Sequence, residues 1–252
     1  MLIPEGIASM TFEEFAAVLA RIDGRDAAIV DGYLVRMQAA RIIGQGSAFG
    51  AGDLAVAVIG LNAAARAADA PAAVATFRAF PPRLMSGLES ERYLPDAVIE
   101  AGNLGDAVEA LIDTAPEIER AFEQFVFDAL ANDPASVLGG IGARVGMRLT
   151  LQFHTGPYPA AAIHVQSNLL RRQGYGRKQR VLESLHETVF VDPDLAQRGL
   201  DDQVPERRVS VALHLPVFLA LREAVHCEDR RVPRFDHVAG AGGNVVNLHR
   251  DA

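Results

Sequence analysis

The apolar residues of this chain change their period once, and that change limits the architectures open to it. Up to about residue 135 they recur every three or four positions, as on one side of a helix. From Leu149 they alternate with polar neighbours: Leu149, Leu151 and Phe153, then Ala161, Ile163 and Val165, as on half-buried strands. The expectation is an α+β protein: a helical N-terminal portion, then a β-hairpin or small antiparallel sheet with helices. Residues 1–135 would be helical, a winged-helix-like unit over 1–70 plus a helical extension. Residues 136–252 would form an α+β domain ending in a mobile C-terminal tail.

Local signals place the helices. Thr11 with Glu14 forms a capping box before Phe12, Phe15, Leu19 and Ile22. Asp23-Gly24-Arg25 reads as a turn, and Asp26 can cap a second helix to about Ala40, with Ile29, Tyr33, Leu34 and Met37 inward. Arg41-Ile42-Ile43 reads as a short strand and residues 44–52 as a glycine-rich loop. Asp53 caps a third helix to about Ala68, whose run from Leu54 to Ala65 reads as buried. A shorter helix follows Pro71, ending before Pro81-Pro82. Two more are expected over 105–112 and 116–131, the second opened by a capping box of Thr114 with Glu117. Beyond the hairpin of residues 149–165, strands are expected at 187–191 and 208–213, and a helix from Pro216 through His226.

Composition narrows the function. No apolar run reaches the roughly 18–20 residues of a membrane span, and residues 1–10 lack a basic n-region, so neither a membrane partner nor a secretory signal is expected. Cys227 is the sole cysteine, which fits a reducing cytoplasm and excludes an intrachain disulfide or a cysteine-cluster zinc site. The net charge of −8 opposes non-specific attraction to nucleic acid over the whole surface. Lys178 is the only lysine, and the arginine and alanine usage points to a GC-rich bacterial genome.

Helix, short turn, second helix, short strand and glycine-rich loop is the order of a winged helix-turn-helix, whose second helix enters the major groove. The runs Asp31-Gly32-Tyr33-Leu34-Val35-Arg36, Arg41-Ile42-Ile43-Gly44-Gln45-Gly46 and Gly52-Asp53-Leu54-Ala55 resemble the N-terminal winged helix of prophage-associated regulators of proteobacteria. The hairpin of residues 149–165 is similar to a strand pair after their helical part. The resemblance implies a DNA-binding transcriptional regulator acting by operator occupancy. Arg25, Arg36, Gln38 and Arg41 would then contact the operator, with Gln45 and Ser47 from the wing. By helical period, however, the outward face of the second helix carries Ala28, Asp31, Gly32, Val35 and Ala39, which offers few donors to bases or phosphates. Residues 1–60 hold four arginines against seven carboxylates. That shortage motivates a homodimer and a second basic element. Arg171, Arg172, Arg177, Lys178 and Arg180 fall in one stretch without a carboxylate, either an arm that tracks phosphates or a solvated loop.

The alternative is a protein-interaction or assembly component of a phage-derived system, with the small-residue face of the second helix against a protein partner. A second alternative is an enzyme in which two or more of His154, His164, His186 and His214 converge in a pocket. No catalytic residue, metal ligand or cofactor is assigned. His154 and His164 nominate no third ligand, and His186-Glu187 lacks the second histidine of a zinc helix because position 190 is Phe190. His226-Cys227 are neighbours at a helix end rather than a nucleophile pair. Gly44, Gly46, Gly50 and Gly52 lack the ending of a phosphate-binding loop, and Asp192, Asp194, Asp201 and Asp202 match no calcium loop.

Overall fold

A computed structural model of the chain describes residues 11–44, 49–87, 90–132, 146–155, 159–173, 177–192, 194 and 209–226. Among them are eight α-helices and five strands: α1 Phe12–Asp23, α2 Ala27–Ala39, α3 Ala51–Ala63, α4 Ala70–Arg78, β1 Pro82–Ser86, α5 Asp96–Ile99, α6 Leu104–Asp113, α7 Ala115–Asn132, β2 Gly146–Thr155, β3 Ala160–Gln173, β4 Arg177–Val191, β5 Val209–His214 and α8 Leu215–His226. The strands form one antiparallel sheet in the order β1-β4-β3-β2-β5. The fold is α+β.

The first helix is built as its sequence dictates. Thr11 Oγ1 accepts from Glu14 N (3.2 Å), and Glu14 Oε2 accepts from Thr11 N (2.8 Å). Gly24, at φ 74°, ends the helix in the left-handed region that glycine enters without cost. Asp26 Oδ1 then accepts from Ala28 N (2.8 Å) and starts α2. The rotation of α2 differs from expectation: Val30 is buried with Tyr33, Leu34 and Met37, while Ile29 is 53% exposed. The helix is apolar on nearly every side, so period alone does not orient it.

Arg41-Ile42-Ile43 is not a strand. Arg41 lies at φ 58°, its N–H donates to Gln38 O (2.9 Å), and Ile42 N donates to Met37 O (3.0 Å). Those two bonds make a Schellman motif, in which the last carbonyls of α2 are satisfied by the chain turning back. The turn delivers Ile43 into the core. The capping box expected at Thr114 is also absent. Thr114 follows α6 directly and its hydroxyl donates to Ala110 O (2.7 Å), satisfying the end of α6 instead of the start of α7.

At the centre stands α3, in which every residue from Leu54 to Ala63 is buried. α2, α4, α6, α8 and β2 contact it, and one core cluster runs from the helices into the sheet through Phe153, Ile163, Val165, Phe190 and Leu213. Phe15 stacks on Phe49 (4.4 Å, 12°), and Phe77 lies 6.1 Å from Phe153. The helical part also contributes β1, which pairs with the far end of β4.

Left-handed geometry costs a non-glycine residue about 1–2 kcal/mol, and glycine returns about 0.4–1 kcal/mol of that as unfolded-chain entropy. Arg41→Gly is therefore expected to raise unfolding stability by about 0.5 kcal/mol, read by urea titration. A clear loss of stability would contradict the Schellman geometry.

Candidate nucleic-acid interface

The residues expected to meet an operator do not share one surface. Arg25 is turned into the protein: its guanidinium donates to Leu61 O and to Asn62 Oδ1 (3.5 Å) and pairs with Asp23 (2.8 Å). It serves the C-terminal end of α3. Arg36 and Arg41 are exposed, and Gln38 is half-buried. Gln45 and Ser47 lie outside the described residues, so the wing is not described. The outward surface of α2 is largely apolar, with Ile29 53% and Val35 46% exposed beside Ala28 and Ala39.

The second basic element is placed differently from either expectation. Arg171, Arg172, Arg177, Lys178 and Arg180 stand on strands, at the distal end of the β3–β4 hairpin. Arg171 pairs with Gln179, Arg172 with Lys178, Gln173 with Arg177 and Leu170 with Arg180. β2 joins β3 only as far as Gly146 opposite Asn168, and β1 joins β4 only over Glu187–Phe190. Past those points the hairpin is a two-stranded ribbon among the described residues. Sequence reading missed this because the strand expected at 187–191 begins ten residues earlier, at Arg177.

The sheet has two unlike faces. Leu149, Leu151, Phe153, Ala161, Ile163, Val165, Phe190 and Leu213 are buried against the helices. Thr150 is paired with both His164 and His214, and His164 with Glu187, which places these four in a row across the opposite face. His164 Nδ1 is 3.8 Å from Glu187 Oε1. Arg148 Nη2 is 2.9 Å from His214 Nε2, and Thr150 Oγ1 is 3.3 Å from His214 Nδ1. Arg148, Thr150 and Glu187 carry no motif of their own; only strand register brings them to the histidines.

His186 belongs to the buried face, at 2% exposure. The Ser90 hydroxyl donates to Gly87 O (3.0 Å), so its oxygen accepts from His186 Nδ1–H (2.7 Å), which leaves Nε2 to accept from the Thr188 hydroxyl (2.8 Å). Every partner is used and Ser90 is itself buried, so the chain of bonds fastens the segment after β1 to β4 rather than activating a nucleophile. His164 and His186 thus lie on opposite faces and do not converge. Among the described residues no three His, Cys, Asp or Glu side chains gather to hold a metal. Asp194 N donates to Asp192 Oδ1 (2.9 Å) as a local turn, while Asp201, Asp202 and Cys227 lie outside the described residues. An open groove of about 420 Å³ between α7, Met147 and Leu215 is apolar, with Glu119 and Glu123 at its wall. No described helix is long and apolar enough to cross a membrane.

No protein-family model, no curated protein and no solved structure matches the chain.

Three imidazoles titrate below their ordinary value of 6.5: His186 through burial and then His164, His164 through burial against the opposing pull of Glu187, and His214 through burial and then Arg148. Each favours the neutral form on folding. The stability they contribute is whole above 6.5 and is lost as pH falls from there through the folded-state values. The urea midpoint should therefore drop as pH is lowered from about 7 to about 5.5, across the imidazole range. Ser90→Ala strands the buried His186 Nδ1–H and should cost about 1–3 kcal/mol. Unchanged stability in that variant would refute the bonded chain.

Proposed function

We propose that the protein binds DNA, and that the contact is made by the distal ribbon of the β3–β4 hairpin rather than by α2. One observation carries the reading: cross-strand register sets five cationic residues and no carboxylate on a two-stranded ribbon, in a chain whose net charge is −8. The major groove of B-DNA, about 12 Å wide, admits such a ribbon as it admits a helix. Each arginine or lysine on a phosphate releases a condensed counterion, so the affinity would depend steeply on salt.

The regulatory role comes from the resemblance to prophage-associated regulators, in which occupancy of an operator is the mechanism. A cytoplasmic location goes with it. Five cations fall short of the roughly 6–10 phosphate contacts of a specific binder, so two copies acting together complete the site.

The test is fluorescence anisotropy on a labelled random-sequence duplex of about two helical turns, with salt raised from about 50 to about 200 mM. Wild type should bind, and Arg172→Ser with Lys178→Ser and Arg180→Ser should weaken binding and lower the log–log salt slope by about three. A wild-type chain that ignores DNA, or a triple variant that keeps affinity and slope, would overturn the reading.

The exposed apolar side chains of α2 favour a second reading, a protein-interaction role with another copy of this chain on that face. Sedimentation equilibrium of Ile29→Ser with Val35→Ser should then show a monomer where wild type is a dimer. A wild-type monomer across micromolar concentrations would sink it.

A further inference from the structure

We infer that the DNA contact does not end at the ribbon but continues over the face of the sheet turned away from the described helices, where Arg148, His164 and His214 receive the phosphate backbone. This rests on the DNA-binding reading above and adds to it a path and a pH dependence.

Register gives the path. Residues 160, 162, 164, 166, 168, 170 and 172 of β3 share one face, since Ala161, Ile163 and Val165 between them are buried under the helices. On β4 the pairing shifts between His186, opposite Val165, and Ser184, opposite Gln166. This bulge inserts one residue and changes the parity of everything beyond it. Ser184, Arg180 and Lys178 therefore fall on the ladder face of Glu187, and Glu183, paired with Ser167, falls on the other. Without the bulge Glu183 would stand on the basic face and Lys178 and Arg180 would leave it.

The resulting face reads from the ribbon inward as Arg172 with Lys178, Leu170 with Arg180, Asn168 with Leu182, Gln166 with Arg148 and Ser184, then His164, Thr150 and His214. Arg83, opposite Val189, adds an exposed cation from β1. Among the described residues Glu187 is the one carboxylate in the row of the histidines. Same-face residues stand about 6.8 Å apart along a strand and neighbouring strands about 4.8 Å apart, so one strand of a duplex backbone laid along the ribbon meets donors at its distal end and again at Gln166, Arg148 and the histidines.

The groups facing each imidazole define its response. Around His214 are Arg148 and Thr150 of β2; around His164 are Glu187 of β4 and Thr150, with His186 on the reverse side of β4. An arginine has only donors, so His214 Nε2 accepts from Arg148 and the free imidazole is neutral. A phosphate laid against Arg148 supplies the negative charge that lets His214 and His164 protonate. Binding then takes up protons, and it tightens by up to about tenfold per pH unit for each proton taken up.

The experiment uses the full chain and the same duplex at about pH 8, 7 and 6, spanning the imidazole range, at constant ionic strength. Wild-type affinity should rise as pH falls, Arg148→Ala should weaken binding, and His164→Gln with His214→Gln should flatten the pH profile. Because core-adjacent variants can disturb folding, a second measurement uses wild type alone. Titration calorimetry in two buffers of different ionisation enthalpy should register net proton uptake near neutral pH. A duplex bound with the salt dependence of the ribbon, but with no proton uptake and no effect of Arg148→Ala, would overturn this inference and leave the ribbon standing. Absence of any binding by wild type would overturn the parent reading instead.

Discussion

The burial of α3 from Leu54 to Ala63 is the constraint on which the rest depends. A helix with no solvent face must meet other elements all round its surface, and α2, α4, α6, α8 and β2 do so. It must also have its polar atoms satisfied from within, because an unpaired buried group costs about 1–3 kcal/mol. Asn62 donates to Val58 O (2.8 Å), Tyr33 donates to Ala64 O (3.1 Å), and Asp53 accepts from Gly44 N (2.9 Å) and Gly50 N (3.1 Å). Arg25 completes the set at Leu61 and Asn62. A side chain that chemistry offers to DNA is thus claimed by the core. Close approach matters as well: a Cβ added to Gly60 would lie 2.5 Å from Met37 Sδ and 3.2 Å from Val74 Cγ2.

What could be read from the sequence is what is decided locally. The Thr11–Glu14 box, the Gly24 turn, the Asp26 cap and the alternation of β2 and β3 each lie within a few residues and carry their own geometry. α3 was legible as buried because its apolar run has no polar side. The misread features all depend on distant partners. α2 is rotated to its neighbours because its own pattern allows several rotations. Arg41 takes a glycine-like conformation because Ile43 must enter the core. Thr114 serves α6 because α7 follows without a linker. β1 has no alternation, with every residue exposed, and is a strand only because β4 lies beside it.

The candidate interface was legible in part for the same reason. The five cations are visible in sequence, and so is their freedom from carboxylates. Their placement on a ribbon is not, since β4 over 177–186 lacks the clean alternation that marks its continuation at 187–191. Nor does any local pattern join Arg148 to His214, which are 66 positions apart and meet through the β2–β5 register.

An acidic chain that binds a polyanion must confine the encounter to one place. At physiological salt the Debye length is about 8 Å, shorter than a ribbon of five or six residue pairs at about 3.4 Å per residue. Cations at the ribbon's end are therefore screened from most of the 32 carboxylates elsewhere in the chain. The single inserted residue at Leu185 keeps that separation on the sheet as well, since it turns Glu183 away from the face shared by Arg172, Lys178 and Arg180. A bulge costs some ladder pairing, and deleting Leu185 would restore it. Pairing Leu185 regularly with Gln166 would instead slip the distal half of β4 by one position and bring Glu183 into the basic row. The charge pattern of the surface thus depends on an irregularity in the backbone beneath it.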